Sequence, residues 1–186
     1  MSDINSRIAE RVRALRSERN LSLEALATRC DVSRSMLSLI ERGESSPTAV
    51  VLEKIASGLG VTLASLFDHA IEPPNPVSRA ADRSTWKDPQ SGYLRRNISP
   101  SYPSPIRIVE VDFPAGATVA YEGGAIARES AVAQQIWVLD GAIEVSVGKV
   151  THKLGKDDCL AMQLDAPVTF RNRTRRAAHY VVVLAS

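Results

Sequence analysis

The sequence predicts a two-domain α+β protein, with a bundle of five helices at the N-terminus and an all-β barrel at the C-terminus. Two observations support this prediction. Apolar residues recur at helical spacing up to about residue 70, and short runs rich in Val and Ile alternate with turn residues from Ile106 onward. The chain of 186 residues has room for two small domains. We therefore assign the helical domain to residues 1–68, a linker and lead-in segment to 69–105, and the barrel to 106–186.

The first helix is predicted by a stripe of apolar side chains, Ile4, Ile8, Val12 and Leu15, which helical spacing places on one face. Two short helices joined by a tight turn follow in the segment LSLEALATRCDVSRSMLSLIERGESSP, from Leu21 to Pro47. This arrangement is typical of a DNA-reading device, because the second helix of such a pair fits the major groove.

The first helix of this pair begins after Ser22, whose side chain is a favourable N-cap. Leu23, Leu26 and Ala27 give the helix one apolar face. Asp31 falls where the chain must turn, and Asp tolerates the left-handed backbone conformation better than most residues. The next helix is therefore expected to begin directly after this turn.

Ser33 is the predicted N-cap of that next helix, and Gly43 ends it. Met36, Leu37 and Ile40 fall at helical spacing and are expected to point inward. The side chains left on the outside are Arg34, Ser35, Ser38, Leu39 and Arg42. Small polar and basic side chains at the start of a short helix suit contacts with base edges.

Two further helices complete the predicted bundle. Thr48 is the N-cap of the fourth, which Gly58 and Gly60 close, and Thr62 caps a short fifth helix that continues through Phe67. The linker contains the stiff run EPPNP. Its later part, from Trp86 to Ile98, is expected to lay a strand or loop against the barrel.

The C-terminal part reads as short strands: IRIVEVD, QIWVLD, AIEVSV, VTHKL and HYVVVLA. Turn signals separate these strands, and Gly148-Lys149 is a two-residue hairpin loop between two of them. Many short antiparallel strands with regular turns predict a sandwich or jelly-roll barrel.

Composition limits the location and the partners of the chain. No apolar run approaches the roughly 18 residues of a membrane span, and the N-terminus lacks the apolar core of a secretory signal. Cys30 and Cys159 fall in different predicted domains, which favours free thiols in a reducing cytoplasm. The net charge is only +2, so DNA binding would depend on individually placed arginines. We expect a cytoplasmic protein without membrane contact.

The run VSRSMLSLIERGESSP makes the segment from Ile4 to Phe67 similar to the Xre/lambda-repressor helix-turn-helix family. The resemblance implies that this protein binds double-stranded operator DNA. It implies phosphate contacts near Ser22, Leu23 and Arg42. It also implies that the side chains facing the groove are Ser33, Arg34, Ser35, Ser38 and Leu39.

The same resemblance suggests an ion pair between Arg16 in the first helix and Glu41 in the recognition helix. Leu39 departs from the family pattern, since relatives often carry a long polar residue at this position. Leu39 is therefore expected to touch a thymine methyl group or nothing. One recognition helix reads only a few base pairs, so we expect a homodimer on a near-palindromic site.

The segment from about Ile106 to Ala185 resembles a small cupin barrel. PAGATVAYEGGAIARESAVAQQIWVLDGAIEV aligns with the first cupin motif and GKDDCLAMQLDAPVTFRNRT with the second. Metal-binding cupins place two His and one Glu in the first motif and a third His in the second. Here Gln134 occupies the Glu position and Val168 the last His position. The other two His positions hold Arg128 and Ser130, or Ala127 and Glu129.

The resemblance therefore implies no bound metal and no other cofactor, and we expect that the protein is not an enzyme. Arg128, Glu129 and Gln134 occupy positions that aim at the barrel centre in family members. Either they satisfy one another, or they bind a small polar ligand through charge-assisted hydrogen bonds. Arg suits a carboxylate and Glu an ammonium group, so an amino acid or a short peptide would fit.

A basic run surrounds one turn of the barrel and is interpreted as a solvated hairpin: Arg171, Arg173, Arg175 and Arg176. Two alternatives remain for this run. Arg171 would bind a carboxylate if it faced inward, or the run would make an auxiliary DNA contact. The whole pattern predicts a sequence-specific transcriptional repressor whose barrel senses a small-molecule effector. Two alternatives remain: a cupin enzyme with an accessory DNA-binding domain, and an interaction protein that uses the barrel only to dimerise.

Overall fold

A computed structural model describes residues 4–67, 74–122 and 132–185. Within these ranges the helical domain has four α-helices, and no helix is long and apolar enough to cross a membrane. The helices are α1 (Ile4–Glu18), α2 (Leu23–Cys30), α3 (Arg34–Glu41) and α4 (Ala49–Leu59).

Three of these helices begin at the predicted N-caps. The side-chain oxygens of Ser22, Ser33 and Thr48 each accept a hydrogen bond from the backbone N–H three residues further on, at 3.0, 3.2 and 3.3 Å. Asp31 ends α2 in the left-handed conformation, with φ 49°. These capping predictions are confirmed. They depend on local hydrogen bonds and local backbone preference, which decide where such helices start and stop.

The predicted fifth α-helix is wrong. Leu63–Phe67 forms a short 3₁₀ helix, in which the Ser65 N–H donates to the Thr62 carbonyl oxygen at 3.0 Å. Five residues are too few to compensate for α-helix nucleation, so the tighter hydrogen-bond pattern prevails. The inward orientation of Met36 is also wrong: its side chain is 39% exposed, because the buried stripe of α3 is centred on Leu37 and Ile40.

Close backbone packing joins α2 to α4 inside the helical domain. A Cβ atom added at Gly58 would lie 2.9 Å from Cys30 Cβ and 3.2 Å from the Cys30 backbone nitrogen. No side chain larger than hydrogen fits between the two helices at this point. A displacement of α4 would therefore be transmitted directly to α2.

The barrel contains, in the described ranges, ten strands arranged as two antiparallel sheets. The larger sheet has the strand order β1-β2-β3-β10-β5-β8 and the smaller has the order β4-β9-β6-β7. The predicted two-residue loop at Gly148 is confirmed, because Val147 pairs with Val150 across it. The strands are β1 (Thr85–Lys87), β2 (Leu94–Asn97), β3 (Ile106–Phe113), β4 (Thr118–Tyr121), β5 (Ala133–Asp140), β6 (Ile143–Val147), β7 (Val150–Leu154), β8 (Cys159–Gln163), β9 (Val168–Arg171) and β10 (Ala178–Ala185).

The lead-in segment supplies the edge of the larger sheet. Its strands β1 and β2 pair with each other, and β2 pairs with β3 so that Arg95 lies opposite Val111. Trp86 and Tyr93, at 2% and 3% exposure, point to the interior. The barrel layer therefore begins near residue 85, well before Ile106.

A chain of aromatic rings connects the two domains. The Phe67 ring lies 5.6 Å from that of Trp86, which lies 5.7 Å from Tyr93, which in turn lies 5.8 Å from Phe113. Edge-to-face and tilted ring pairs at these distances are stabilising contacts. Buried aromatic packing thus continues from the 3₁₀ helix into the barrel.

Four ionisable side chains form a network on the outer face of the larger sheet. Arg96 bonds Glu110 at 2.8 Å and Asp112 at 2.6 Å, and His179 contacts the same two carboxylates at 3.2 and 2.6 Å. Partial burial acts to raise the pKa of Asp112, but hydrogen bonds from His179 and Arg96 outweigh it and lower that pKa.

Candidate functional site

The start of α3 presents the polar side chains that the sequence assigns to a DNA groove. Ser33, Arg34 and Ser35 are all exposed. Arg34 makes one long contact, with its Nε 3.7 Å from Oε2 of Glu24, and both side chains are more than two-thirds exposed. An ion pair this exposed contributes little stability. Arg34 is therefore able to leave Glu24 for a nucleic-acid acceptor.

The end of α3 carries an arginine that is already engaged. Arg42 donates to Ser38 Oγ at 2.5 Å and to both carboxylate oxygens of Glu44 at 2.9 Å each. The hydrogen bonds between them raise the pKa of Arg42 and lower the pKa of Glu44. Leu39 is half-buried beside them. A DNA phosphate would have to compete with Glu44 for Arg42. The sequence alone did not predict that Glu44 would be this competitor.

The N-terminus of α2 lies at the start of the same helix pair. Ser22 is exposed and Leu23 is half-buried. Backbone N–H groups in the first turn of a helix lack intrahelical acceptors and attract anions. Ser22 occupies one of them, the Ala25 N–H, at 3.0 Å.

An ion pair between Arg16 and Glu41 fixes α1 against α3. Arg16 Nε and Nη2 contact the two oxygens of Glu41 at 2.6 and 2.9 Å, and Arg16 Nη1 donates to the Leu21 carbonyl oxygen at 2.8 Å. The hydrogen bond to Glu41 raises the pKa of Arg16. Arg13 also donates to the backbone carbonyl of Glu41. These contacts hold α3 in one orientation against α1.

A cavity of about 140 Å³ lies inside the barrel. Aliphatic and aromatic side chains from both sheets line it, among them Val111, Val119, Phe170 and Val182. A cavity of about this size holds a benzene-sized molecule when its wall is apolar. The cavity therefore has room for one small ligand.

The helical domain forms part of the same cavity wall. Glu53 and Ala56 of α4 line it, together with Thr62 and Leu63 from the segment that follows. Burial raises the pKa of Glu53, and the nearby Glu122 raises it further. A molecule in the cavity would touch both domains.

The polar groups of the wall gather around Arg95. Its side chain is only 8% exposed, its Nε has no hydrogen-bond partner within the described residues, and its guanidinium carbon lies 5.0 Å from the Phe67 ring centroid. The hydroxyls of Tyr93 and Tyr121 are 3.2 Å apart, and Tyr180 completes the group. Burial raises the pKa of all three tyrosines, so their hydroxyls remain hydrogen-bond donors.

The structure agrees with only some of the ligand-binding residues predicted from the sequence. Gln134 is 6% exposed and lines the cavity. The inward assignment of Arg171 is wrong, because Phe170 points into the cavity and strand alternation turns Arg171 outward to solvent. Arg128 and Glu129 lie outside the described residues.

The positions tied to metal binding carry few donor groups. Val168 presents only methyl groups to the cavity. Across the described part of the chain, no three His, Cys, Asp or Glu side chains come together to hold a metal ion. Cys30 is buried and Cys159 is exposed, both as free thiols.

Sequence reasoning missed the two charged residues of the cavity wall, Arg95 and Glu53. Arg95 lies two residues after Tyr93, so strand alternation places both on one face, and this signal was available. Glu53 precedes the buried Ala56 by three residues on α4, but the sequence does not reveal that this part of α4 faces the barrel.

Comparison with known proteins assigns the helical domain to a family. Residues 12–66 match the family model HTH_3, described as helix-turn-helix. Control protein C.MunI of Mycoplasma sp is 43% identical over 68 residues, which cover 36% of this chain and 92% of that protein.

Two further proteins resemble the chain over almost its whole length. The HTH-type transcriptional regulator SutR of Escherichia coli (strain K12) is 28% identical over 97% of this chain and 95% of its own length. The crystal structure of an HTH_3 family transcriptional regulator from Vibrio cholerae superimposes with a TM-score of 0.75 at 28% identity, covering 98% of this chain and 97% of that one.

Proposed function

Because the chain belongs to the HTH_3 helix-turn-helix family of transcriptional regulators, we propose that it is a sequence-specific DNA-binding repressor whose barrel senses a small molecule. One observation carries the sensing part of this proposal: α4 of the helical domain and both sheets of the barrel line a single cavity. An effector bound there contacts the element that packs directly against the helix-turn-helix.

The DNA surface in this proposal consists of the exposed start of α3 and the N-terminus of α2. Arg34 and Ser35 read base edges in the major groove, while Ser22, Leu23 and Arg42 lie near phosphates. The support is the exposure of Arg34 and its weak hold by Glu24. An arginine with free donors suits the two acceptors on the major-groove edge of guanine.

Effector binding reaches this surface through α4. Glu53 and Ala56 face the cavity, whereas Gly58, one half-turn further on, lies against Cys30 of α2 with no room for a side chain. A ligand shifts the equilibrium between two arrangements of these helices by its difference in affinity for them. Coupling free energies of this kind are typically about 1–3 kcal/mol.

We propose that the regulator acts as a homodimer in the cytoplasm. The recognition helix α3 has only eight residues and would read too few base pairs alone, so two half-sites about one helical turn apart are needed. We also propose that the barrel binds its ligand without transforming it. Gln134 and Val168 stand where metal-binding cupins have ligands, which supports this view and disfavours the metal-enzyme alternative.

The experiment that tests this function is selection of DNA duplexes from a random library by the full-length protein. We expect enrichment of a near-palindromic site, bound by a protein that light scattering identifies as a dimer at micromolar concentration. Failure to enrich any sequence would contradict the proposal, and so would a monomer that binds its selected site tightly.

A further inference from the structure

We propose that the cavity binds a small organic monoanion whose anionic group contacts the Arg95 guanidinium. A monocarboxylate with an apolar body fits the cavity best. This inference rests on the proposed sensing function and specifies its ligand. It also departs from the zwitterionic amino acid or peptide that the sequence suggests.

The first argument is the state of Arg95. A guanidinium that is 8% exposed carries a full positive charge into the protein interior, and its Nε has no hydrogen-bond partner in the part of the chain that the structure describes. The guanidinium carbon lies 5.0 Å from the centroid of the Phe67 ring, which gives a cation–π contact. The ring does not serve as a hydrogen-bond acceptor for Nε. Buried charges are ordinarily paired, and a carboxylate that accepts a hydrogen bond from Nε would complete this one.

The second argument is the neighbourhood of Arg95. In the strand register Arg95 lies opposite Val111, and Val111 lies opposite Tyr180, so Arg95 and Tyr180 are in one row across the larger sheet. Tyr93, two residues before Arg95, lies on the same face of the chain, and its hydroxyl is hydrogen-bonded to that of Tyr121 at 3.2 Å. Hydroxyl donors beside a guanidinium stabilise an anion bound between them.

The third argument concerns ligand size and charge. The cavity of about 140 Å³ is close to one that holds benzene, which limits the ligand to about six to nine non-hydrogen atoms. Gln134 lies opposite Leu184, four residues along β10 from Tyr180, which corresponds to about 13 Å along the strand. A molecule of this size bound at Arg95 would place most of its body against the apolar side chains of the wall.

Glu53 restricts the charge of the ligand. Glu53 lines the same cavity and lies near Glu122, and both carboxylates repel a negatively charged ligand when they are ionised. A dianion would add a second negative charge without a second cation among the described lining residues. A monoanion matches Arg95 alone.

The test uses the full-length protein and four probes with the same ring: benzoate, benzenesulfonate, phenylphosphonate and the neutral benzamide. A panel of aliphatic monocarboxylates with about three to six carbons extends the range of body shapes. Thermal shift and calorimetry measure binding. We expect at least one monocarboxylate to bind saturably, at least tenfold more tightly than its neutral amide, with the phosphonate weaker as its second charge develops.

Two neighbouring arginines provide a matched comparison. Arg95→Met removes the cavity cation, whereas Arg96→Met removes an arginine that points to the outer face and bonds Glu110 and Asp112. We expect the carboxylate dissociation constant to rise at least tenfold in Arg95→Met and to stay within twofold in Arg96→Met. If Arg95→Met does not fold, Tyr180→Phe replaces it, with an expected rise of about threefold or more.

Three results would overturn the inference: no monocarboxylate binds, amides bind as well as acids, or the affinity does not depend on Arg95 and Tyr180. Binding to the selected DNA is measured separately. A protein that binds DNA specifically but no monocarboxylate refutes this ligand assignment alone. One that binds a carboxylate without any change in DNA affinity supports the assignment and refutes the sensing function.

Discussion

Asp88 of the barrel caps α4 of the helical domain: its Oδ1 accepts a hydrogen bond from the backbone N–H of Ala49 at 2.8 Å. Asp88 is 2% exposed, and its other oxygen accepts from the N–H and hydroxyl of Ser91 at 2.7 and 2.5 Å. A carboxylate at a helix N-terminus interacts favourably with the helix dipole. The turn between β1 and β2 therefore fixes the position of the helix that lines the cavity.

Replacing Asp88 by Ala should lower the free energy of unfolding by about 2–3 kcal/mol, because the charged hydrogen bonds are lost and the Ala49 N–H stays buried. Urea denaturation of the full-length protein measures this. Asp82→Ala, at an exposed position of the same segment, is the control and should change stability by less than about 0.5 kcal/mol. Equal losses in both variants would show that Asp88 is not a structural cap.

Replacing Arg34 by Ala should weaken binding to the selected DNA site by about 1–3 kcal/mol and leave binding to random DNA nearly unchanged, if the arginine contacts a guanine. Fluorescence anisotropy on both duplexes gives the comparison, and Arg79→Ala, an exposed arginine of the lead-in segment, is the control. A loss of the same size on both duplexes would assign Arg34 to a phosphate.

Replacing Glu44 by Gln should strengthen DNA binding severalfold at low salt. The change frees Arg42 from its two contacts with the carboxylate and removes a negative charge beside the DNA surface. Glu10→Gln, at an exposed position on α1, controls for the general effect of net charge. The gain should shrink in an Arg42→Met background, and an undiminished gain there would exclude release of Arg42 as its cause.

Asp112 should contribute stability that is lost in acid. Its pKa in the folded protein lies below the value of about 3.9 expected when unfolded. Its contribution is therefore complete above about pH 5 and disappears as pH falls through the folded pKa. The difference in unfolding free energy between the wild type and Asp112→Asn should narrow from pH 6 to pH 3. A constant difference over this range would contradict the argument.

The elements that the sequence predicted well depend on local interactions. Ser22, Ser33 and Thr48 cap their helices because each hydroxyl meets an N–H only three residues away, and Asp31 turns the chain by its own backbone preference. The prediction of a fifth α-helix was wrong because it used apolar periodicity alone. Periodicity does not reveal that the segment before Phe67 is too short for α-helix formation.

The parts that could not be predicted depend on contacts distant in sequence. Arg95 reaches the cavity wall because β2 pairs with β3 in one register, and Glu53 because α4 packs on the barrel. Alternation with Tyr93 indicates which face of β2 carries Arg95, but no pattern in the chain reveals what lies opposite that face or that α4 packs on the barrel. For Arg171, the assignment depended on which face of β9 is buried, and the burial of Phe170 decided it.

The aromatic chain between the domains also gives the protein an optical property. Of its two tryptophans, Trp86 is buried between Phe67 and Tyr93, whereas Trp137 is 48% exposed on the outer face of the larger sheet. In a Trp137→Phe variant the remaining indole would emit at short wavelength while the two domains stay packed. If the two domains separated, water would reach Trp86 and shift that emission to longer wavelength. The fluorescence spectrum would therefore report in solution whether the two domains are packed together.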